Sequence, residues 1–118
     1  MIPKEISYAI VEKLLETIKP HKIILFGSSA GGTSNERSDL DLLVVTDDEI
    51  MPKNYDENLA IHLKVSSALR EFRRKTPIDL LVQTRPMHRK FIELNSQFSR
   101  EILENGRVLY EKDHRRVA

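Results

Sequence analysis

Cysteine is absent from the 118-residue chain, which excludes disulfides, thiolate zinc sites and cysteine nucleophiles. Aromatic side chains are few: three tyrosines, four phenylalanines and no tryptophan leave little from which to build a base-stacking surface. Neither sign of charge dominates. Nineteen basic and 18 acidic residues leave a formal net charge of +1, so no overall field calls for a polynucleotide or a membrane. Long apolar runs are missing as well. Stretches such as Ile23–Phe26 and Leu42–Val45 fall far short of the ~20 residues of a membrane-spanning helix. Met1-Ile2-Pro3-Lys4-Glu5 offers no secretory apolar region, and a cytoplasmic protein is the expectation. The phosphate-binding patterns GxxxxGK[ST] and GxGxxG do not occur, nor does the GxSxG nucleophile elbow, which argues against a P-loop NTPase, a dinucleotide-binding unit and a serine hydrolase.

With 40% hydrophobic and 31% charged residues, the chain fits one soluble domain with a single core. Pro3 suits a first helical turn, and Ile6, Ile10, Leu14 and Ile18 recur every four residues, predicting a helix over 4–18 that stops before Pro20. Lys22–Phe26 reads as a first strand and Leu40–Thr46 as a second, with a polar, glycine-containing loop between them and a further loop over Asp47–Asn54. Tyr55–Lys75 reads as one long helix whose core face carries Leu59, Leu63, Leu69 and Phe72, with Ala68 adjacent. Ile78–Thr84 reads as a third strand. Pro86–Leu94 and Ser96–Asn105 read as short helices, the latter stopped at Gly106. Arg107–Tyr110 is expected as an edge strand or extended segment, and 111–118 as a frayed tail. Strands alternating with helices point to an α/β domain, 1–118, with a small mixed sheet flanked by helices and a core over about 4–110.

The chemistry concentrates in one stretch. Gly27-Ser28 is followed, after ten intervening residues, by Asp39-x-Asp41, which opens the aliphatic run Leu42–Val45. Positions i and i+2 of a strand share a face, about 6.5–7 Å apart at Cα. Two carboxylates on one spot of a buried strand are costly unless a cation joins them. Hard oxygen ligands in that arrangement suit Mg²⁺ with a phosphate-bearing substrate. Asp79 repeats the pattern, an Asp followed by Leu80, Leu81 and Val82. If its strand lies beside Asp41, a third carboxylate joins the set, and three around two divalent ions would form a two-metal clamp for phosphoryl transfer. Ser28 and the backbone of the Gly27-Ser28-Ser29 turn are candidates for phosphate binding.

This combination resembles the signature of the DNA polymerase beta-type nucleotidyltransferases, over about residues 5–110, and the short length is similar to the minimal MNT branch. The resemblance implies a minimal polymerase beta-like nucleotidyltransferase fold with its active site where the second and third strands begin. It implies AMP transfer from ATP to a hydroxyl, with Asp39, Asp41 and Asp79 as catalytic ligands of two Mg²⁺ ions and Gly27, Ser28 and Ser29 as nucleotide-binding residues. MNT domains often act as antitoxins beside HEPN-domain ribonuclease toxins, so it further implies a HEPN toxin as partner, modified on a tyrosine. One departure stands out: family members often carry an arginine where this chain has Gly31, and its absence bears on turnover more than on fold. A binding-only antitoxin and a small-molecule nucleotidyltransferase, the latter acting as a dimer, are the rival readings.

Other features admit plainer explanations. His21, His62, His88 and His114 lack ligand spacing and read as surface or boundary residues. Arg70, Arg73, Arg74 and Lys75 sit where a helix C-terminus favours cations. Arg85, His88, Arg89 and Lys90 open a helix, where cations are not favoured. They are either solvated or face phosphates, RNA or an acidic partner, although direct nucleic-acid binding is not the expectation.

Overall fold

The computed structural model describes residues 4–27, 40–112 and 115–116. Among them the chain runs α1 (Lys4–Thr17), β1 (Lys22–Phe26), β2 (Leu40–Val45), α2 (Tyr55–Ala68), α3 (Arg70–Arg73), β3 (Ile78–Gln83), α4 (Arg85–Leu94), α5 (Gln97–Asn105), β4 (Arg107–Glu111) and β5 (Arg115–Arg116). The strands form one mixed sheet in the order β3-β2-β1-β4-β5. β2 and β3 are parallel, whereas β1 pairs antiparallel with both β2 and β4. A parallel pair needs a long crossover, and α2 with α3 provides it.

The apolar spacing of α1 buries Ile10, Val11 and Leu14. The helix ends as Lys19 turns into the left-handed region at φ 51, where its N–H donates to the Leu14 carbonyl at 3.1 Å, and Pro20 follows. Strand alternation then sorts the sheet into two faces. Leu40, Leu42 and Val44 of β2 pack with Ile10, Leu14, Val65 and Leu69 from α1, α2 and the turn after it. Leu43 and Val45 pack on the opposite face with Ile24 and with Ile102 of α5. Helices on both faces explain why β1 and β2 read as continuous apolar runs rather than as alternating ones.

The expected long helix over Tyr55–Lys75 is instead two. It breaks at Leu69, which leaves the helical region (φ −100, ψ 9) and is fully buried. The bend turns Leu69 and Phe72 into the core. It also corrects the expected core face: Leu63 is 51% exposed and Leu59 lies outside as well, while Ile61 and Val65 face inward beside Ala68. The spacing explains this, since Ile61, Val65, Ala68 and Phe72 recur every three or four residues, and the step from Leu63 to Leu69 does not.

The end of the chain also differs from expectation. β4 is no edge strand but lies between β1 and β5. Glu111 belongs to it, and Arg115–Arg116 pair with Glu111 and Tyr110 rather than fraying. Gly106 stops α5 as anticipated, but for a steric reason: a Cβ there would collide with the Ile102 carbonyl and Ile24.

Candidate active site

The parallel register of β2 and β3 places Asp41 directly opposite Asp79, and the antiparallel register of β1 places Phe26 opposite Asp41. Facing residues of adjacent strands share a sheet face about 5 Å apart. Phe26, Asp41 and Asp79 therefore form a row across three strands at one end of the sheet, on the face that carries α4 and α5. Asp41 is half-buried and Asp79 exposed.

Gly27 closes the row. It follows Phe26 at φ +73, a conformation that costs little only for glycine. A Cβ at Gly27 would collide with the Asp41 carboxylate. Backbone thus approaches carboxylate where a side chain would have stood between them. Two hard oxygen donors side by side, with a glycine leaving room above one of them, fit a divalent cation and a phosphate in donor chemistry.

Of the residues singled out from sequence, Gly27, Asp41 and Asp79 are brought together. Asp39, Ser28, Ser29 and Gly31 lie outside the described residues, and so does the loop between them. Among the described residues no three carboxylate or histidine side chains gather as a metal site; Asp39 is not one of those residues.

The basic cluster at the start of α4 is not a free phosphate-binding surface. Arg85 pairs with Asp47 and Glu49, both at 3.2 Å, and Arg89 pairs with Glu49 at 2.9 Å. Asp47 also takes Lys112 at 2.6 Å. The Lys112 hydrogen bond, with Arg85 and His21 nearby, holds the Asp47 carboxyl below its usual range. Arg89 does the same for Glu49. Acidic partners supplied by the loop after β2 were not visible from the local sequence around Arg85.

His88, expected near the surface, is buried. Its Nδ1 lies 2.9 Å from Gln83 Oε1, and its Nε2 lies 3.4 Å from the Lys22 ammonium. Lysine can only donate, so Nε2 accepts and Nδ1–H donates to Gln83. Burial first, then Lys22 and His21, push the imidazole down to about 4. It is a neutral structural residue behind the sheet.

The family model for polymerase beta nucleotidyltransferases matches residues 9–115. A Methanocaldococcus jannaschii protein named "Putative protein adenylyltransferase" is 36% identical over 107 residues, 91% of this chain and 93% of that protein. Among solved structures, one named as a putative nucleotidyltransferase from Sulfolobus solfataricus superimposes with a TM-score of 0.64 at 18% identity, covering 96% of this chain and 84% of that one. A toxin–antitoxin structure with AMP-PNP superimposes with a TM-score of 0.60 at 20% identity, covering 92% of this chain and 75% of that one. The fold is theirs, and with the family model spanning nearly its whole length the chain belongs to the polymerase beta nucleotidyltransferase family.

Proposed function

We propose that this protein transfers AMP from ATP to a tyrosine hydroxyl of a partner HEPN-domain ribonuclease toxin, and so acts as its antitoxin. The observation that carries the reading is the pairing of Asp41 with Asp79 against Gly27, in a chain of a nucleotidyltransferase family. The name of the Methanocaldococcus jannaschii relative supports a protein as acceptor, and the toxin–antitoxin neighbour supports a toxin as that protein.

In this reading Asp39, Asp41 and Asp79 would hold two Mg²⁺ ions, which would supply charge stabilisation for the transfer. Gly27, Ser28 and Ser29 hold the triphosphate through backbone N–H groups and the hydroxyls. Asp79, exposed at the outer strand, accepts the proton of the acceptor hydroxyl. The hydroxyl oxygen bonds to the α-phosphorus, the bond from that phosphorus to the bridging oxygen breaks, and pyrophosphate departs. A bulky anionic AMP beside the toxin's ribonuclease site then repels RNA.

Mass spectrometry of the toxin after incubation with this protein, ATP and Mg²⁺ tests the proposal. Additions of AMP mass to a tyrosine, lost with Asp41→Asn, are the expected result. A toxin that binds the native protein and gains no mass overturns it in favour of a binding-only antitoxin.

A further inference from the structure

A cavity of about 390 Å³ opens beside the start of β3, lined by Arg70, Arg73, Arg74, Pro77 and Ile78. Ile78 immediately precedes Asp79 but packs on the α1 and α2 face, so the cavity lies across β3 from the carboxylate row. Several cations elsewhere meet anions. Arg85, Arg89 and Lys112 are paired with Asp47 and Glu49, Lys22 with Glu111, and Lys13 with Glu71, the acidic residue of α3 itself. Arg70, Arg73 and Arg74 differ in gathering around one cavity without such a partner. Among the described residues none of them has a carboxylate partner, and the hydrogen bond of Arg73 goes to the Ser66 hydroxyl.

A helix C-terminus tolerates cations, which accounts for one or two of these side chains. It does not account for three exposed guanidiniums around one cavity, at spacings of three and four residues where like charges repel. Such a cluster is satisfied by an anion from outside. Guanidinium forks match carboxylates two bonds at a time. No aromatic ring lines the cavity for a base to stack on, and a net charge of +1 gives no general attraction for polynucleotides. β3 is moreover the outermost strand of the sheet among the described residues, open to an extended segment.

We propose that this cavity docks an acidic peptide segment of the protein acceptor, its Asp or Glu carboxylates held by Arg70, Arg73 and Arg74, so that a hydroxyl carried past the outer edge of β3 reaches Asp79. The assignment rests on the reading of this protein as a transferase acting on another protein.

Fluorescence anisotropy with a labelled Glu-Glu-Tyr-Glu-Glu peptide tests it, against a lysine counterpart and a single-stranded RNA. The native protein is expected to bind the acidic peptide in a salt-sensitive manner. The double variant Arg70→Gln/Arg74→Gln should bind it at least about tenfold more weakly. Both side chains are exposed, so the thermal melt should be unchanged, and ATP affinity measured by titration calorimetry should be unchanged too. Equal peptide binding by the variant overturns the proposal. So does an RNA that binds through the same arginines in place of the peptide, or an ATP affinity that falls with them. With the toxin as acceptor, a raised KM and a preserved kcat in the variant support docking. An unaltered KM overturns docking and leaves AMP transfer standing, whereas absence of transfer by the native protein tells against the transferase reading alone.

Discussion

At Gly27 two demands fall on one backbone position: a left-handed φ of +73 and the approach of the Asp41 carboxylate to where a Cβ would be. Either alone selects glycine. Together they make Gly27→Ala a probe of the site rather than of the core. The φ alone costs roughly 1–2 kcal/mol for alanine, and the Cβ must displace Asp41 besides. The variant should therefore melt a few degrees lower yet lose nearly all AMP transfer. Near-native transfer by a folded Gly27→Ala protein would show that the contact with Asp41 does not matter. Asp79, by contrast, is exposed and sits beside another carboxylate, so its charge adds little to stability.

At the scale of elements, the break at Leu69 governs how the crossover from β2 to β3 meets the sheet. Leu69→Ala empties a fully buried site and should cost about 2–5 kcal/mol. Leu63→Ala, on the exposed side of the same helix, should stay within about 0.5 kcal/mol. Urea denaturation of the pair distinguishes this core face from one built on Leu63. α4 is tied down differently, through buried His88 to Gln83 of β3 and Lys22 of β1. The folded imidazole binds its proton at about 4, the unfolded one near 6.5. Below pH 6.5 the unfolded state therefore takes up a proton that the folded state refuses. Stability falls as pH drops from about 6.5 to about 4, by on the order of 3 kcal/mol in all. Unfolding free energies at pH 7 and pH 4.5 should show this fall, and His88→Gln should flatten it. Asp47 and Glu49 act lower: with folded carboxyls below their usual range, their contribution is present above that range and is lost only in stronger acid.

Across the whole molecule, Asp47 joins parts distant in sequence. It contacts Arg85 of α4 and Lys112 after β4, and His21 ahead of β1 lies 3.8 Å away. Removing its charge leaves Arg85 and Lys112 without that partner, so Asp47→Asn should cost about 1 kcal/mol at low salt. The deficit should shrink at high ionic strength as the remaining charges are screened. A deficit independent of salt, in parallel melts of variant and native protein, would point to packing instead. The Asp47 network also explains why Arg85 and Arg89 are poor candidates for partner binding while Arg70 and Arg74 are good ones: the former are already neutralised.

Much of this was legible from sequence because it is local. The apolar spacing of α1, the aliphatic runs of β1 and β2, the proline after α1 and Gly106 after α5 each encode their element through backbone sterics and one-sided burial. Gly27, Asp41 and Asp79 stood out in the sequence too, since acidic residues opening buried strands call for a reason beyond packing, and these three are brought together, whereas Ser28 and Asp39 lie outside the described residues. Tertiary structure alone decided what depends on partners far along the chain. The register that sets Asp41 against Asp79 comes from a parallel pairing across a crossover of more than thirty residues. The bend at Leu69 comes from packing that outweighs helix propensity. The fates of Arg85 and His88 come from a loop and two strands that no spacing near residue 85 announces. A local pattern carries the preferences of its own backbone and side chains, whereas opposing charges and facing carboxylates meet only once the sheet has brought its strands together.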